Sequence, residues 1–123
     1  MAHCPLVAVV DDDDSVRESL SGLFRSVGFA ARGYASAAAF LQSDDLPRTD
    51  CVILDVRMPG MSGLELQRRL VASHPDVPVI FMTAHDDARA RSQALSGGAV
   101  DYLIKPFSEE ALLDAVRAAL GSK

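Results

Sequence analysis

The chain has little of several residue types that characterise particular classes of protein. Its 123 residues include no tryptophan and only two cysteines, so neither a disulfide framework nor a cysteine-bound metal cluster is expected. No apolar run approaches the ~18 residues of a membrane span. The first residues lack the basic segment and long apolar run of a secretory signal. These absences predict a cytoplasmic protein that does not enter a membrane.

Positive charge is also scarce. The 12 Lys and Arg residues are outnumbered by 17 Asp and Glu residues, which leaves a net charge of −5. The basic residues are scattered and form no stripe, so direct nucleic-acid binding by this domain is not expected. A chain of this length predicts one domain, residues 1–123, with one hydrophobic core.

Short apolar runs rich in Val, Ile and Leu are the main pattern in the chain, and each is typical of a buried strand. A weaker strand is expected over Phe29–Tyr34. Because the carboxyl ends of parallel strands share one edge of a sheet, the polar residues that follow four of the runs are expected to converge. Those runs are Leu6–Val10 before Asp11 and Asp12, Cys51–Leu54 before Asp55, Val79–Met82 before Thr83, and Val100–Ile104 before Lys105 and Pro106.

Helical patterns alternate with these runs. Capping boxes at Ser15-x-x-Glu18 and Ser62-x-x-Glu65 predict two helix starts, while Asp13 and Asp14 suit a helix N-terminus by their charge. The strand–helix order repeats five times, so the expected fold is α/β, with a five-stranded parallel doubly wound sheet flanked by five helices.

Four segments together resemble the receiver (CheY-like) domain of two-component response regulators. Two further segments, at 38–41 and 98–101, resemble receivers of the FixJ and NtrC types. The resemblance covers essentially the whole chain and implies the flavodoxin-like strand order 2-1-3-4-5. The four segments are Val9–Asp12, Val52–Asp55 with Met58–Gly63, Met82–Ala84, and Asp101–Phe107.

The resemblance implies that Asp55 is a phosphoacceptor and that Mg²⁺ or Mn²⁺ binds beside it. Asp12 and Asp55 would ligate the ion directly, Asp11 would act mainly through water, and the backbone carbonyl of Arg57 would be a further ligand. Elementary electrostatics agrees, because three carboxylates in one crevice repel one another and a hard divalent cation relieves that repulsion.

Further roles follow from the same resemblance. Lys105 would pair with one phosphoryl oxygen, its ammonium aimed into the site by a cis bond between Lys105 and Pro106, and the Thr83 hydroxyl would donate to another oxygen. Thr83 and Tyr102 would form the switch, with Tyr102 rotating inward after phosphorylation. The fourth helix, fifth strand and fifth helix would then change, which predicts phosphorylation-dependent dimerisation or partner binding.

The expected function is phosphorylation-activated signalling, with a histidine kinase or phosphotransfer protein as partner and a transcriptional output domain outside this chain. Such a domain is not an enzyme, since it catalyses only its own phosphorylation and dephosphorylation. One alternative is a stand-alone regulator that acts by protein–protein interaction, and another is a docking module that never takes a phosphoryl group. A third is an aspartyl-nucleophile phosphatase of the haloacid dehalogenase type, whose motif requires a second Asp where this chain has Arg57.

Overall fold

The computed structural model describes residues 4–121 and shows the expected five-stranded sheet. All four pairings are parallel, and the strand order is β2-β1-β3-β4-β5. No helix in the described range is long and apolar enough to cross a membrane. The elements are β1 Leu6–Val10, α1 Asp14–Ser26, β2 Ala30–Tyr34, α2 Ala37–Leu41, a 3-10 turn Leu46–Arg48, β3 Cys51–Asp55, α3 Gly63–Ser73, β4 Val79–Thr83, α4 Ala88–Ser96, β5 Asp101–Ile104 and α5 Glu109–Gly121.

The central strands are apolar on both faces because helices cover both sides of the sheet. Successive side chains point to opposite faces, so β3 contributes Val52 and Leu54 to one core cluster and Cys51 and Ile53 to the other. Helices α2, α3 and α4 pack on the first cluster, and α1 and α5 pack on the second. This two-sided burial explains why the strands appear in the sequence as continuous apolar runs.

One of the two predicted capping boxes marks a helix start as expected, and the other does not. Ser62 caps α3 by accepting from the backbone N–H of Glu65, as expected. The capping box at Ser15 is wrong: Asp13 is the N-cap, and its carboxylate accepts from the backbone N–H groups of Ser15 and Val16. Because Asp is at least as good a cap as Ser, the carboxylate two residues earlier takes the position.

Strand bounds differ slightly from the predictions. Asp55 and Thr83 lie inside β3 and β4 as their last residues, β2 starts at Ala30, and β5 starts at Asp101. In register, Asp55 lies beside Met82, and Thr83 lies beside Ile104. The two polar residues are thus held by ladder pairing rather than by a loop.

One polar cluster secures the end of β2 that lies nearest the site. The Tyr34 hydroxyl donates to Asp45 Oδ2 over 2.5 Å, and Asp45 also pairs with Arg48 and Arg32. Burial and then the hydrogen bond to Asp45 raise the pKa of Tyr34 to about 12. The bond from Tyr34 is in turn the largest cause that lowers the pKa of Asp45.

This cluster predicts a measurable alkaline titration. The folded-state pKa of Tyr34 is raised, so the protonated phenol stabilises the fold fully below pH ~10, and this stabilisation is lost as the pH rises towards about 12. Phenolate absorbance should therefore show a transition near pH 12 that loses the Tyr34 contribution in Tyr34→Phe and keeps only that of Tyr102. Circular dichroism over the same range is the control for unfolding. Titration at the ordinary tyrosine pKa in the folded protein would contradict the bond.

Candidate functional site

The functional candidates meet at the carboxyl edge of the sheet. Asp11 and Asp12 follow β1, Asp55 ends β3, Thr83 ends β4, and Lys105 follows β5. Since β1 and β3 are adjacent in the sheet, the two acidic segments lie at the point where the strand order reverses, which is where ligands of this fold class bind. Residues separated by up to 94 positions in the chain are thereby brought together.

Three carboxylates form the acidic part of the site. One oxygen from each of Asp11, Asp12 and Asp55 lies within 4.8 Å of the other two. Asp11 is buried, Asp55 is half-buried and Asp12 is exposed. An all-oxygen set of this kind, open to water on one side, fits Mg²⁺, which usually takes one or two carboxylates and keeps several waters.

Asp11 is the most constrained of the three. Its Oδ1 accepts from the backbone N–H of Asp13 over 2.8 Å, and its Oδ2 lies 3.4 Å from Lys105 Nζ. Its backbone carbonyl also accepts from Arg17. With both carboxylate oxygens already engaged, Asp11 is better placed to act on an ion through water than by direct ligation.

Asp55 keeps one carboxylate oxygen unengaged within the described residues. Oδ1 accepts from the backbone N–H of Arg57 over 3.2 Å. Burial, as the largest cause, raises the pKa of Asp55, and the neighbouring charge of Asp11 adds to that rise. The Arg57 hydrogen bond and the Lys105 charge act in the opposite direction. A poorly solvated carboxylate beside two others is a group that a cation would stabilise.

Thr83 and Lys105 supply the side-chain hydrogen-bond donors of the site. Thr83 is 1% exposed, and its Oγ1 accepts from the backbone N–H of His85 over 3.1 Å. This bond leaves the hydroxyl proton available for donation. The ammonium of Lys105 lies beside Asp11, and the bond from Lys105 to Pro106 is cis, as the resemblance implied.

Tyr102 lies inside the protein in this structure. It is 4% exposed, and its hydroxyl is buried without a hydrogen-bond partner among the described residues. Burial raises the pKa of Tyr102, followed by the charges of Asp87 and Asp86. The ring packs against Phe81 of β4. This is the inward position predicted from the sequence for the phosphorylated state.

Gly63 is a site residue whose role was not predicted from the sequence. A Cβ atom at Gly63 would lie 2.2 Å from the backbone oxygen of Asp55 and 3.1 Å from the Cα of Val56. The absence of a side chain lets the start of α3 approach the end of β3, where the Gly63 N–H donates to the Val56 carbonyl. A glycine at the start of a predicted helix was the sole signal of this contact in the sequence.

A parallel sheet of this order with clustered carboxylates, a hydroxyl and an ammonium at its carboxyl edge defines a class of doubly wound α/β domain that binds its ligands at that edge. The model of the response regulator receiver domain family matches residues 7–117. The chain therefore belongs to that family and is a receiver domain of two-component response regulators.

Curated relatives agree with this assignment. The chain is 49% identical over 114 residues to nodulation protein W of Bradyrhizobium diazoefficiens and 49% identical over 115 residues to the transcriptional regulatory protein FixJ of Azorhizobium caulinodans. These matches cover 93% and 94% of the chain but 50% and 54% of the relatives. The chain thus spans about half the length of the curated relatives it matches.

Solved structures show the same fold. The response regulator StyR matches with a TM-score of 0.89 and 46% identity, covering 98% of this chain and 61% of that one. The crystal structure of FixJ-N matches with a TM-score of 0.87 and 35% identity, covering 99% of this chain and 98% of that one. A receiver protein from Burkholderia phymatum has a TM-score of 0.81 and 52% identity, with 95% of each chain covered.

Proposed function

We propose that Asp55 accepts a phosphoryl group from a histidine kinase or phosphotransfer protein, in the presence of Mg²⁺, and that the α4–β5–α5 surface then changes its binding properties. The observation that carries this proposal is the meeting of Asp11, Asp12 and Asp55 within 4.8 Å at the carboxyl edge of the sheet. Receiver domains generally bind Mg²⁺ in such an acidic pocket and interact with histidine kinases or phosphotransfer proteins.

The nucleophile is the Asp55 carboxylate. Its Oδ2 attacks phosphorus while Oδ1 is held by the backbone N–H of Arg57. The P–N bond of the donor phosphohistidine breaks as the new P–O bond forms. The departing imidazole keeps the electron pair of that bond and takes a proton from solvent water. The product is an aspartyl phosphate, a covalent intermediate of known type.

Alignment and charge neutralisation are what this chain contributes to the transfer, because the transition state is largely dissociative. Lys105 is placed to leave Asp11 and pair with one phosphoryl oxygen, while the Thr83 hydroxyl donates to another. Asp12, Asp55 and the Arg57 carbonyl would hold Mg²⁺ directly, and Asp11 through water. When bound, the ion would neutralise the charge that develops on the phosphoryl oxygens.

The output of the switch is proposed to be transcriptional. The FixJ relative, of which the match covers 54%, is a transcriptional regulatory protein, which supports a transcriptional output. A stand-alone regulator that acts by protein–protein interaction, with a phosphorylation-dependent homodimer as one form, is the alternative. An aspartyl phosphatase is not favoured, because the position two residues after Asp55 is Arg57, whose guanidinium pairs with Asp87.

The proposed metal site predicts that removing the charge of Asp12 lowers Mg²⁺ affinity much more than removing the charge of Asp13. Asp12→Asn should reduce Mg²⁺ affinity by at least tenfold in titration calorimetry, because it removes a charged direct ligand. Phosphorylation by phosphoramidate, followed by intact mass, should slow in parallel.

Asp13→Asn is the matched control. It removes one negative charge at the next residue and keeps a good N-cap for α1, so Mg²⁺ affinity should change less than twofold. Equal affinity in the wild type and in Asp12→Asn would contradict the proposed ligand set.

A further inference from the structure

Helix α4 is weakly anchored to the core. Only Ala90 and Ala94 of its nine residues are buried, whereas α3 buries the larger side chains of Leu66 and Leu70. Alanine removes little apolar surface from water, so apolar packing holds α4 less firmly than its neighbour. The position of α4 therefore depends more strongly on the polar contacts at its two ends.

An open cavity separates α4 from the loop between β3 and α3. It has a volume of about 550 Å³, with Met58 and Leu64 on one wall and Ala90 and Gln93 on the other. Because no side chain fills this gap, α4 has room to move towards or away from the loop.

A buried hydrogen bond holds the C-terminal end of α4. Gln67 of α3 is 3% exposed, and its Nε2 donates to the backbone carbonyl of Ala94 over 2.8 Å. Gly97, just after the helix, lies so close that a Cβ atom there would be 2.8 Å from Gln67 Oε1. Breaking this bond would leave a buried amide unpaired, so the contact is costly to lose.

An exposed ion pair holds the N-terminal end. Arg57 Nη2 lies 3.5 Å from Asp87 Oδ2, with side chains 58% and 40% exposed. The other oxygen of Asp87 caps α4 by accepting from the backbone N–H groups of Arg89 and Ala90. An exposed pair of this kind contributes little to stability. The ion pair between Arg57 and Asp87 therefore breaks more easily than the buried hydrogen bond between Gln67 and Ala94.

The ion pair between Arg57 and Asp87 is also the end contact of α4 that lies nearer to the proposed phosphoacceptor, Asp55. Arg57 lies two residues after Asp55, and its backbone N–H already donates to Asp55 Oδ1. A phosphoryl group adds roughly two negative charges, twice the charge of the Asp87 carboxylate with which it would compete. We propose that phosphorylation of Asp55 draws the Arg57 guanidinium from Asp87, and that α4 then pivots about the buried contact between Gln67 and Ala94.

This inference rests on the proposed function, and it makes Asp87 and Gln67 positioning residues for the output surface. Asp87→Asn tests the ion pair at the N-terminal end of α4, because asparagine keeps the helix cap and removes the charge that pairs with Arg57. Asp86→Asn is the matched control, since Asp86 has no ion pair among the described residues. Residual dipolar couplings of the backbone amides report the orientation of α4 relative to the sheet.

In unphosphorylated protein, Asp87→Asn should shift the amide resonances of residues 88–92 towards the positions they take with beryllofluoride, a mimic of the phosphoryl group. The rate of labelling by phosphoramidate should rise about twofold, which is the size expected for losing one exposed ion pair. Asp86→Asn should change neither quantity. Arg57→Gln, which breaks the pair from the other side, should reorient α4 as Asp87→Asn does. Identical behaviour of Asp87→Asn and Asp86→Asn would overturn the inference.

The pivot is tested with beryllofluoride. In the wild type, the change in α4 amide shifts should be largest at residues 88–91 and at least threefold smaller at 94–98. Gln67→Leu should remove this difference, whereas Gln42→Leu, at an exposed position after α2 and away from α4, should preserve it. Equal movement of both ends in the wild type would overturn the pivot while leaving phosphorylation of Asp55 intact. A wild type that does not respond to beryllofluoride at all would overturn the proposed function, and this inference with it.

Discussion

Replacing Asp55 by asparagine is expected to abolish phosphorylation completely. The wild type, incubated with Mg²⁺ and phosphoramidate or acetyl phosphate, should gain the mass of one phosphoryl group. Asp55→Asn should gain none, because a neutral amide is a poor nucleophile and no longer offers the negative charge that attracts the metal ion. Intact mass spectrometry measures both outcomes directly.

The structure explains why no other carboxylate should substitute for Asp55. Both oxygens of Asp11 are engaged, one with the backbone of Asp13 and one with Lys105. Asp12 is exposed and is the proposed direct ligand of the metal ion. Asp86→Asn is the control and should be labelled to the wild-type extent. Labelling of Asp55→Asn at the wild-type level would show that the phosphoacceptor lies elsewhere.

Replacing Gly63 by alanine is expected to destabilise the protein by about 3 kcal/mol, at the upper end of the range for overpacking. The added Cβ would lie 2.2 Å from the backbone oxygen of Asp55. Neither partner can rotate away, because the obstructing atoms are backbone atoms of a central strand. Chemical denaturation should therefore show a lower midpoint with an unchanged slope.

A second consequence of Gly63→Ala concerns the site itself. To relieve the contact, α3 or the end of β3 must shift, and the shift displaces the backbone of Asp55 and Val56. We expect the labelling rate of the folded fraction to fall by at least tenfold, because alignment is what the site contributes to phosphoryl transfer.

Gly22→Ala is the matched control for Gly63→Ala. Gly22 lies in α1, and a Cβ atom there would meet no atom within 4 Å. Alanine at an open helical position should stabilise the protein by about 0.5–1 kcal/mol through its higher helix propensity. Similar stabilities of the two variants would contradict the tight approach of α3 to β3.

Local patterns in the chain predicted the architecture well. Each apolar run became a strand within one residue of its predicted bounds, because burial on both faces of a sheet requires continuous apolar sequence. The cap at Ser62 was also predictable, since a cap depends on residues three positions apart. The start of α1 was misassigned because Asp13 and Ser15 compete for the same cap, and a carboxylate two residues earlier is at least as effective as the hydroxyl.

The sequence by itself determined that strands and helices alternate and that Asp11, Asp12, Asp55, Thr83 and Lys105 end or follow strands, since these features depend on neighbouring residues. Tertiary structure alone decided which atoms meet. The close approach of Gly63 to Asp55, the ion pair of Arg57 with Asp87, and the bond from Gln67 to the Ala94 carbonyl each join segments whose separation depends on how the helices pack on the sheet. Ångström-scale distances of this kind arise from the packing of the whole core, and no local pattern of residues encodes them.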